Sequence, residues 1–190
     1  MNQISGEILE TQGRFAEAAA EYRKAIAKNS KATALHYRLG RALLMTSHDS
    51  EVLGLALKEF QAELALNPYD AVAEYQAAQI LQEQGDAAQA SAAFERAVAL
   101  DANFVEPLVG LGKVRVQQKR DSEAISLLVW AVALAPSNET ARYNLMMAYR
   151  NAGRREDAMR EKAELDKLQK TPEGEFTDFL KKLGDQPVQK

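Results

Sequence analysis

Apolar residues return along this chain at steps of three and four, as in Leu35, Leu39 and Leu43 or in Phe94, Ala97 and Val98. That spacing gathers them on one face of an α-helix, whereas a half-buried strand would place them at every second position. The pattern itself recurs. Ala18, Ala56, Ala90, Ala124 and Ala158 are separated by 38, 34, 34 and 34 residues. Four residues after each comes Tyr22, Phe60, Phe94, Leu128 or Lys162, and seven after each comes Ala25, Glu63, Ala97, Ala131 or Leu165. Small residues at the first and last of these sites let helices lie close, and the large one between them fills the seam. A fixed period of this length predicts a stack of helix–turn–helix repeats.

With the alanine as register mark, five repeats cover 1–172, at 1–32, 33–70, 71–104, 105–138 and 139–172, the first lacking its opening two positions. Break signals fall where turns are needed. Gly13, Gly85 and Gly153 stand between paired helices, and Asn67-Pro68 and Ala135-Pro136 stand between repeats. Glycine takes the left-handed, helix-ending conformation readily, and proline cannot continue a helix. The second repeat carries four extra residues around Ser47–Ser50, which predicts a longer turn between its helices, and the fourth has Lys119 where the turn prefers glycine. Arg115 replaces a seam residue in that same repeat.

These residues resemble the tetratricopeptide repeat (TPR) family. Leu39-Gly40, Leu111-Gly112 and Tyr149 match its first helix, Ala90, Phe94 and Ala97 its second, and Pro68 and Pro136 its closing proline; Gln84 to Asp101 is the nearest stretch. The resemblance covers about nine-tenths of the chain. It implies an all-α superhelical solenoid of five repeats with a C-terminal capping helix. For that helix, Thr171-Pro172-Glu173 is a start signal, Phe176, Phe179, Leu180 and Leu183 share one face, and Gly184 is the stop. The expected helix spans 173–184, and 185–190 read as a disordered tail. Met1-Asn2, where the family usually has an aromatic, reads as the start of an excised fragment.

Composition removes several classes of function. A hydrophobic share of 46% is that of a folded protein, and the net charge of −3 lacks the basic stripe that general nucleic-acid binding requires. No stretch is apolar enough to span a bilayer, and Met1–Glu10 has neither a basic n-region nor an apolar h-region, leaving cytoplasmic and exported locations both open. The absence of cysteine excludes thiolate metal sites. The two histidines, His36 and His48, stand in no ligand spacing. Ser47-His48-Asp49 juxtaposes suggestive residue types, but neighbours in one loop cannot adopt the through-space geometry of a triad, and Asp49 or Ser50 reads as a helix cap. No enzyme, metal site or cofactor is expected.

What remains is surface. In the resembled family the first helix of each repeat lines a concave groove, and its lining positions fall on Tyr37, Arg38, Arg41, Tyr75, Gln79, Lys113, Tyr143, Met147 and Arg150. Three tyrosines recur at one register, and tyrosine offers contact area with a polar tip. Arg41, Lys113 and Arg150 favour a ligand carrying carboxylates, so the expected partner is another protein or an acidic peptide. The Lys/Asn set with which some family members clamp a C-terminal carboxylate is absent, since Tyr37 and Arg41, Gln76, then Glu106 and Gly110 occupy its positions. A second surface is the convex side. Glu21, Arg23, Lys24, Glu95, Arg96, Arg160, Glu161 and Glu164 fall outward there, but the fourth repeat places Leu127, Val129 and Trp130 outward, so Ile125–Leu134 is apolar all round. The leading reading is a non-catalytic scaffold. Its alternatives are a self-associating module, a homodimer through the Trp130 face or the C-terminal helix, and the regulatory arm of a larger enzyme.

Overall fold

The computed structural model describes residues 2–169; Met1, the expected helix at 173–184 and the tail at 185–190 lie outside the described residues. Within them are ten α-helices: α1 (Asn2–Thr11), α2 (Phe15–Lys28), α3 (Leu35–Leu44), α4 (Ser50–Leu66), α5 (Ala71–Glu83), α6 (Ala87–Leu100), α7 (Val105–Gln117), α8 (Asp121–Leu134), α9 (Glu139–Asn151) and α10 (Arg155–Leu168). The chain forms two compact units, Met1–Leu111 and Gly112–Lys190.

Helix starts are chemically marked. Asp49, Asp70, Asp86 and Asn138 each accept backbone N–H bonds at the head of α4, α5, α6 and α9, at 2.9–3.0 Å. Such a cap satisfies donors that have no partner inside the helix. Before α2, α8 and α10 the cap residue is an arginine instead, and Arg14, Arg120 and Arg154 each pair with the acid three positions on, Glu17, Glu123 and Asp157. The residue preceding each arginine has positive φ: Gly13 at 72°, Lys119 at 58° and Gly153 at 75°. Lys119 therefore holds the left-handed turn that its glycine counterparts hold, at a cost of about 1 kcal/mol relative to glycine.

Helix α3 is the exception. It begins two residues later in register than α5, α7 and α9, has no side-chain cap of its own, and is preceded by Ala34 at φ 68°. Its cap comes from α4. Glu63, 1% exposed, accepts N–H bonds from Ala34 at 2.7 Å and Tyr37 at 3.3 Å. A carboxylate at a register where three other repeats carry alanine is thus a distant N-cap, favoured further by the positive end of the α3 dipole. The extra residues of this stretch lengthen both turn and helix: 45–49 is five residues where the other pairs are joined by three. Helix α4 has 17 residues where α2, α6, α8 and α10 have 14, because Asp49 caps an added turn at its start.

The seam in each pair follows from side-chain volume. In the first unit Tyr22 and Phe60 are fully buried and lie over Gly6 and Gly40; a Cβ on Gly40 would stand 2.9 Å from the Phe60 ring. In the second unit Leu128 lies over Gly112, where a Cβ would come within 2.6 Å. The glycines are spacers that bring two helices to ring-on-backbone contact, so added volume there overpacks the seam. Arg115, expected only as a seam departure, is buried and extends its guanidinium to Glu123 and Gln118, each at 3.1 Å.

Polar staples reinforce the pairs. In the first unit, His36 bonds Glu59 at 2.7 Å and Glu74 takes Arg96 in a two-toothed pair at 2.7 and 3.0 Å. In the second, Arg142 pairs with Glu161 at 2.8 Å and also donates to the Pro136 carbonyl at 2.7 Å. Arg96 and Glu161, expected simply as outward charges, are therefore ties from the second helix of a pair to the first.

Candidate partner-binding surfaces

Helix α3 gathers Tyr37, Arg38 and Arg41 on one side, facing residues of α1. The Tyr37 ring rests against Phe60, with centroids 5.8 Å apart, and Arg41 places its guanidinium 6.0 Å from the Tyr37 centroid. Arg38 is held by Glu7 at 3.2 Å and Glu10 at 3.7 Å. Arg38, expected as a groove-lining residue, thus has its charge offset by two carboxylates from α1. Glu10 also accepts the Tyr22 hydroxyl at 2.8 Å. Burial, followed by that bond, pushes the Tyr22 phenol up to about 12, so it remains a donor at ordinary pH. An open cavity of about 410 Å³ lies here, lined by Glu7, Glu10, Thr11, Phe15, Arg38, Arg41 and Met45. It has an apolar wall in Phe15 and the largely exposed Met45, a Glu–Arg–Glu cluster whose two carboxylates outnumber Arg38, and Arg41, exposed, at its edge.

Tyr75 and Gln79 stand together on α5. The Tyr75 ring packs between Phe94 and Phe104, at centroid separations of 6.2 and 5.2 Å. Burial first, then the Glu106 charge, raises its pKa, while a hydrogen bond with the Gln79 side chain works the other way. One turn further, Gln82 buries its side-chain amide nitrogen without a hydrogen-bond partner, an arrangement proteins rarely leave unmet. Periodicity singles out Gln82 only as a groove position.

The second unit holds the remaining expected residues. Lys113 is exposed on α7, and α9 carries Tyr143, 50% exposed, Met147, half-buried, and Arg150, exposed. On α8, Val129 and Trp130 are 44% and 40% exposed, and the exposed Ala133 and Leu134 extend the same apolar strip. Leu127 departs from the expectation, being half-buried rather than outward. Register explains this helix. Trp130 stands 34 residues after Arg96, Leu127 stands 34 before Glu161, and Leu108 lies midway between Glu74 and Arg142. The three register positions that carry these ionic staples are thus all apolar in one repeat.

Among the described residues no group of three or more His, Cys, Asp or Glu side chains is placed to hold a metal ion. No described helix is long and apolar enough to cross a membrane.

Two family models, both described as tetratricopeptide repeat, match residues 6–71 and 81–129, together more than half of the chain. The peroxisomal targeting signal receptor of Candida albicans is 33% identical over 75 residues, 40% of this chain but 13% of that receptor. The chain therefore spans only a small part of that relative. Among solved structures, the crystal structure of MamA superposes with a TM-score of 0.79 at 19% identity, covering 87% of this chain and 94% of MamA. YrrB, described as a TPR protein with an unusual peptide-binding site, has a TM-score of 0.76 at 20% identity, covering 93% of this chain and 89% of YrrB. At such identities the likeness is one of fold.

Proposed function

Since the chain belongs to the tetratricopeptide repeat family, we propose that it is a non-catalytic interaction scaffold whose first unit receives a segment of another protein on the side of α1, α3 and α5. The observation that carries this reading is the open cavity between α1 and α3, where an apolar wall adjoins an exposed arginine. A peptide placing a carboxylate on Arg41 and an apolar side chain against Phe15 and Met45 fits both halves. Tyr37 and Tyr75 extend the same face with aromatic area and phenol tips. Two relatives point the same way: one is named as a targeting-signal receptor and another as having a peptide-binding site. Neither name specifies the ligand of this chain.

Because Arg38 is already neutralised, the preference for acid rests on Arg41 alone in this unit, and a modest salt dependence is expected. Arg41→Glu is expected to weaken capture of an acidic–apolar peptide by about tenfold or more, with wild-type binding weakening between low and physiological salt. Titration of a fluorescent peptide library reads both. Equal affinity for the two proteins at every salt concentration would remove the assignment.

The exposed Val129 and Trp130 support a second reading, self-association through α8. Trp130→Glu is expected to convert a dimer to a monomer in sedimentation equilibrium; a parent chain that is monomeric throughout, or a variant of unchanged mass, would end that reading.

A further inference from the structure

Glu7 on α1 and Arg41 on α3 hold one register, each directly after the glycine spacer of its helix, Gly6 or Gly40. The cavity of about 410 Å³ that both residues line therefore has an acidic wall and a basic one. The fold does not exhaust the acidic wall. Glu7 and Glu10 share one guanidinium, that of Arg38, at 3.2 and 3.7 Å. Glu10 also accepts the Tyr22 hydroxyl and is the more covered of the two, its side chain 13% exposed against 37% for Glu7. Glu7 uses a single oxygen, Oε1, for both Arg38 and the Gln3 amide at 3.1 Å, so neither bond occupies Oε2. On the other wall Arg41 is exposed. Two carboxylates and two guanidiniums leave this lining without net charge, but the signs are separated, one on each helix.

The apolar part of the lining is particular to this place as well. Met45 stands where the other four repeats carry Thr11, Glu83, Gln117 and Asn151, and Phe15 where three of them carry Ala87, Asp121 and Arg155. Stacking of repeats therefore does not require apolar volume at either position. Phe15 and Met45 also line a second open cavity of about 300 Å³, together with Gly13, Arg14, Ala16, Glu17 and Thr46. Its charged residues, Arg14 and Glu17, are closed on each other at 2.7 Å. This second cavity thus adds apolar contact and no unmatched charge, and the two side chains it shares with the first stand between them.

We propose that the segment received here is charge-paired, an inference that rests on reading the α1–α3 cavity as a peptide site. A basic side chain of the partner protein meets Glu7, an acidic one meets Arg41, and apolar residues beside them cover Phe15 and Met45. A ligand carrying acid alone gains at Arg41 and loses at Glu7, because like charges brought together at an interface are unfavourable. Packed helices lie about 8–10 Å apart, a distance an extended chain crosses in about three residues. The two charged residues are therefore near neighbours in the segment. Because the sign changes from one helix to the next, the segment also has a single favoured direction across them.

Selection of random short peptides displayed on phage, with the full chain as bait, tests this. The expected result is joint enrichment of Lys or Arg with Asp or Glu in the same peptides, beside apolar residues. Against Glu7→Gln the basic residue is expected to lose its enrichment while the acidic one persists, and against Arg41→Gln the reverse. In solution, exchanging the basic residue of a selected peptide for Gln is expected to weaken binding to the parent about five- to tenfold, and binding to Glu7→Gln less than about twofold. The first of these exchanges is read on the unaltered chain, so it stands even where a variant is destabilised. Selected peptides that are acidic, lack a basic residue and bind Glu7→Gln as they bind the parent overturn the charge pairing and leave the peptide site in place. Recovery of no peptide whose binding depends on Arg41 removes the site itself, and the pairing with it.

Discussion

Replacing Phe94 with alanine is expected to lower the stability of the first unit by about 3–5 kcal/mol, the range for removing a buried aromatic ring. Phe94 is 1% exposed, and its ring occupies the place where a Cβ on Gly110 would stand. The cavity left behind faces a glycine, which has no side chain to swing into it, so relaxation is limited and the upper part of the range applies. The substitution also removes one of the two rings backing Tyr75. Urea denaturation followed by circular dichroism measures the loss, and a change below about 1 kcal/mol would mean that the seam does not depend on this ring. Loss of peptide affinity beyond that explained by unfolding would show that Tyr75 acts through its backing.

Glu63→Ala is expected to destabilise the first unit by about 2 kcal/mol, although alanine is the residue at that register in three other repeats. A substitution towards the repeat average would ordinarily be neutral or stabilising. Here it strands the N–H groups of Ala34 and Tyr37 at a helix start with no local cap, and an unmet buried donor costs about 1–3 kcal/mol. Glu63→Gln keeps one acceptor oxygen and is expected to lose about half as much. Denaturation midpoints of the three proteins decide the matter. A Glu63→Ala protein as stable as the parent would refute the cap.

The architecture was legible because it is written many times. Apolar steps of three and four, one alanine register and glycines at three turns each repeat the same instruction, and even the non-glycine turn at Lys119 could be placed from its neighbours. Features that occur once were not legible. Glu63 was an anomaly at a small-residue site, and only the structure shows a carboxylate reaching the head of α3 from a different helix. The longer loop before α4 and its Asp49 cap were both legible, but the extra helical turn was not, because a four-residue insertion does not show how it divides between loop and helix. The pairing of Arg38 was not legible because its partners, Glu7 and Glu10, lie about thirty residues upstream in a helix whose facing could not be read from pattern. The staples are different, since they could have been found. Positions 74, 108 and 142 are separated by one period each, and carry Glu, Leu and Arg. Aligning them with Arg96, Trp130, Leu127 and Glu161 shows charge meeting charge in two repeats and apolar residues throughout the third.

The rings behind Tyr37 and Tyr75 also bear on recognition through entropy. Each tyrosine leans on a side chain of the core, Phe60 for the one and Phe94 with Phe104 for the other. Their rotational freedom is therefore surrendered when the unit folds, not when a ligand arrives. A binding face ordinarily loses about 0.5–1.5 kcal/mol for each side chain it must immobilise, and these two phenols are spared most of that loss. Half-exposed Tyr143 sits at the same register in the second unit and retains more of its freedom. Tyrosines that look equivalent in the repeat are thus unequal as contacts, two already set in place by the fold and one left for its partner to fix.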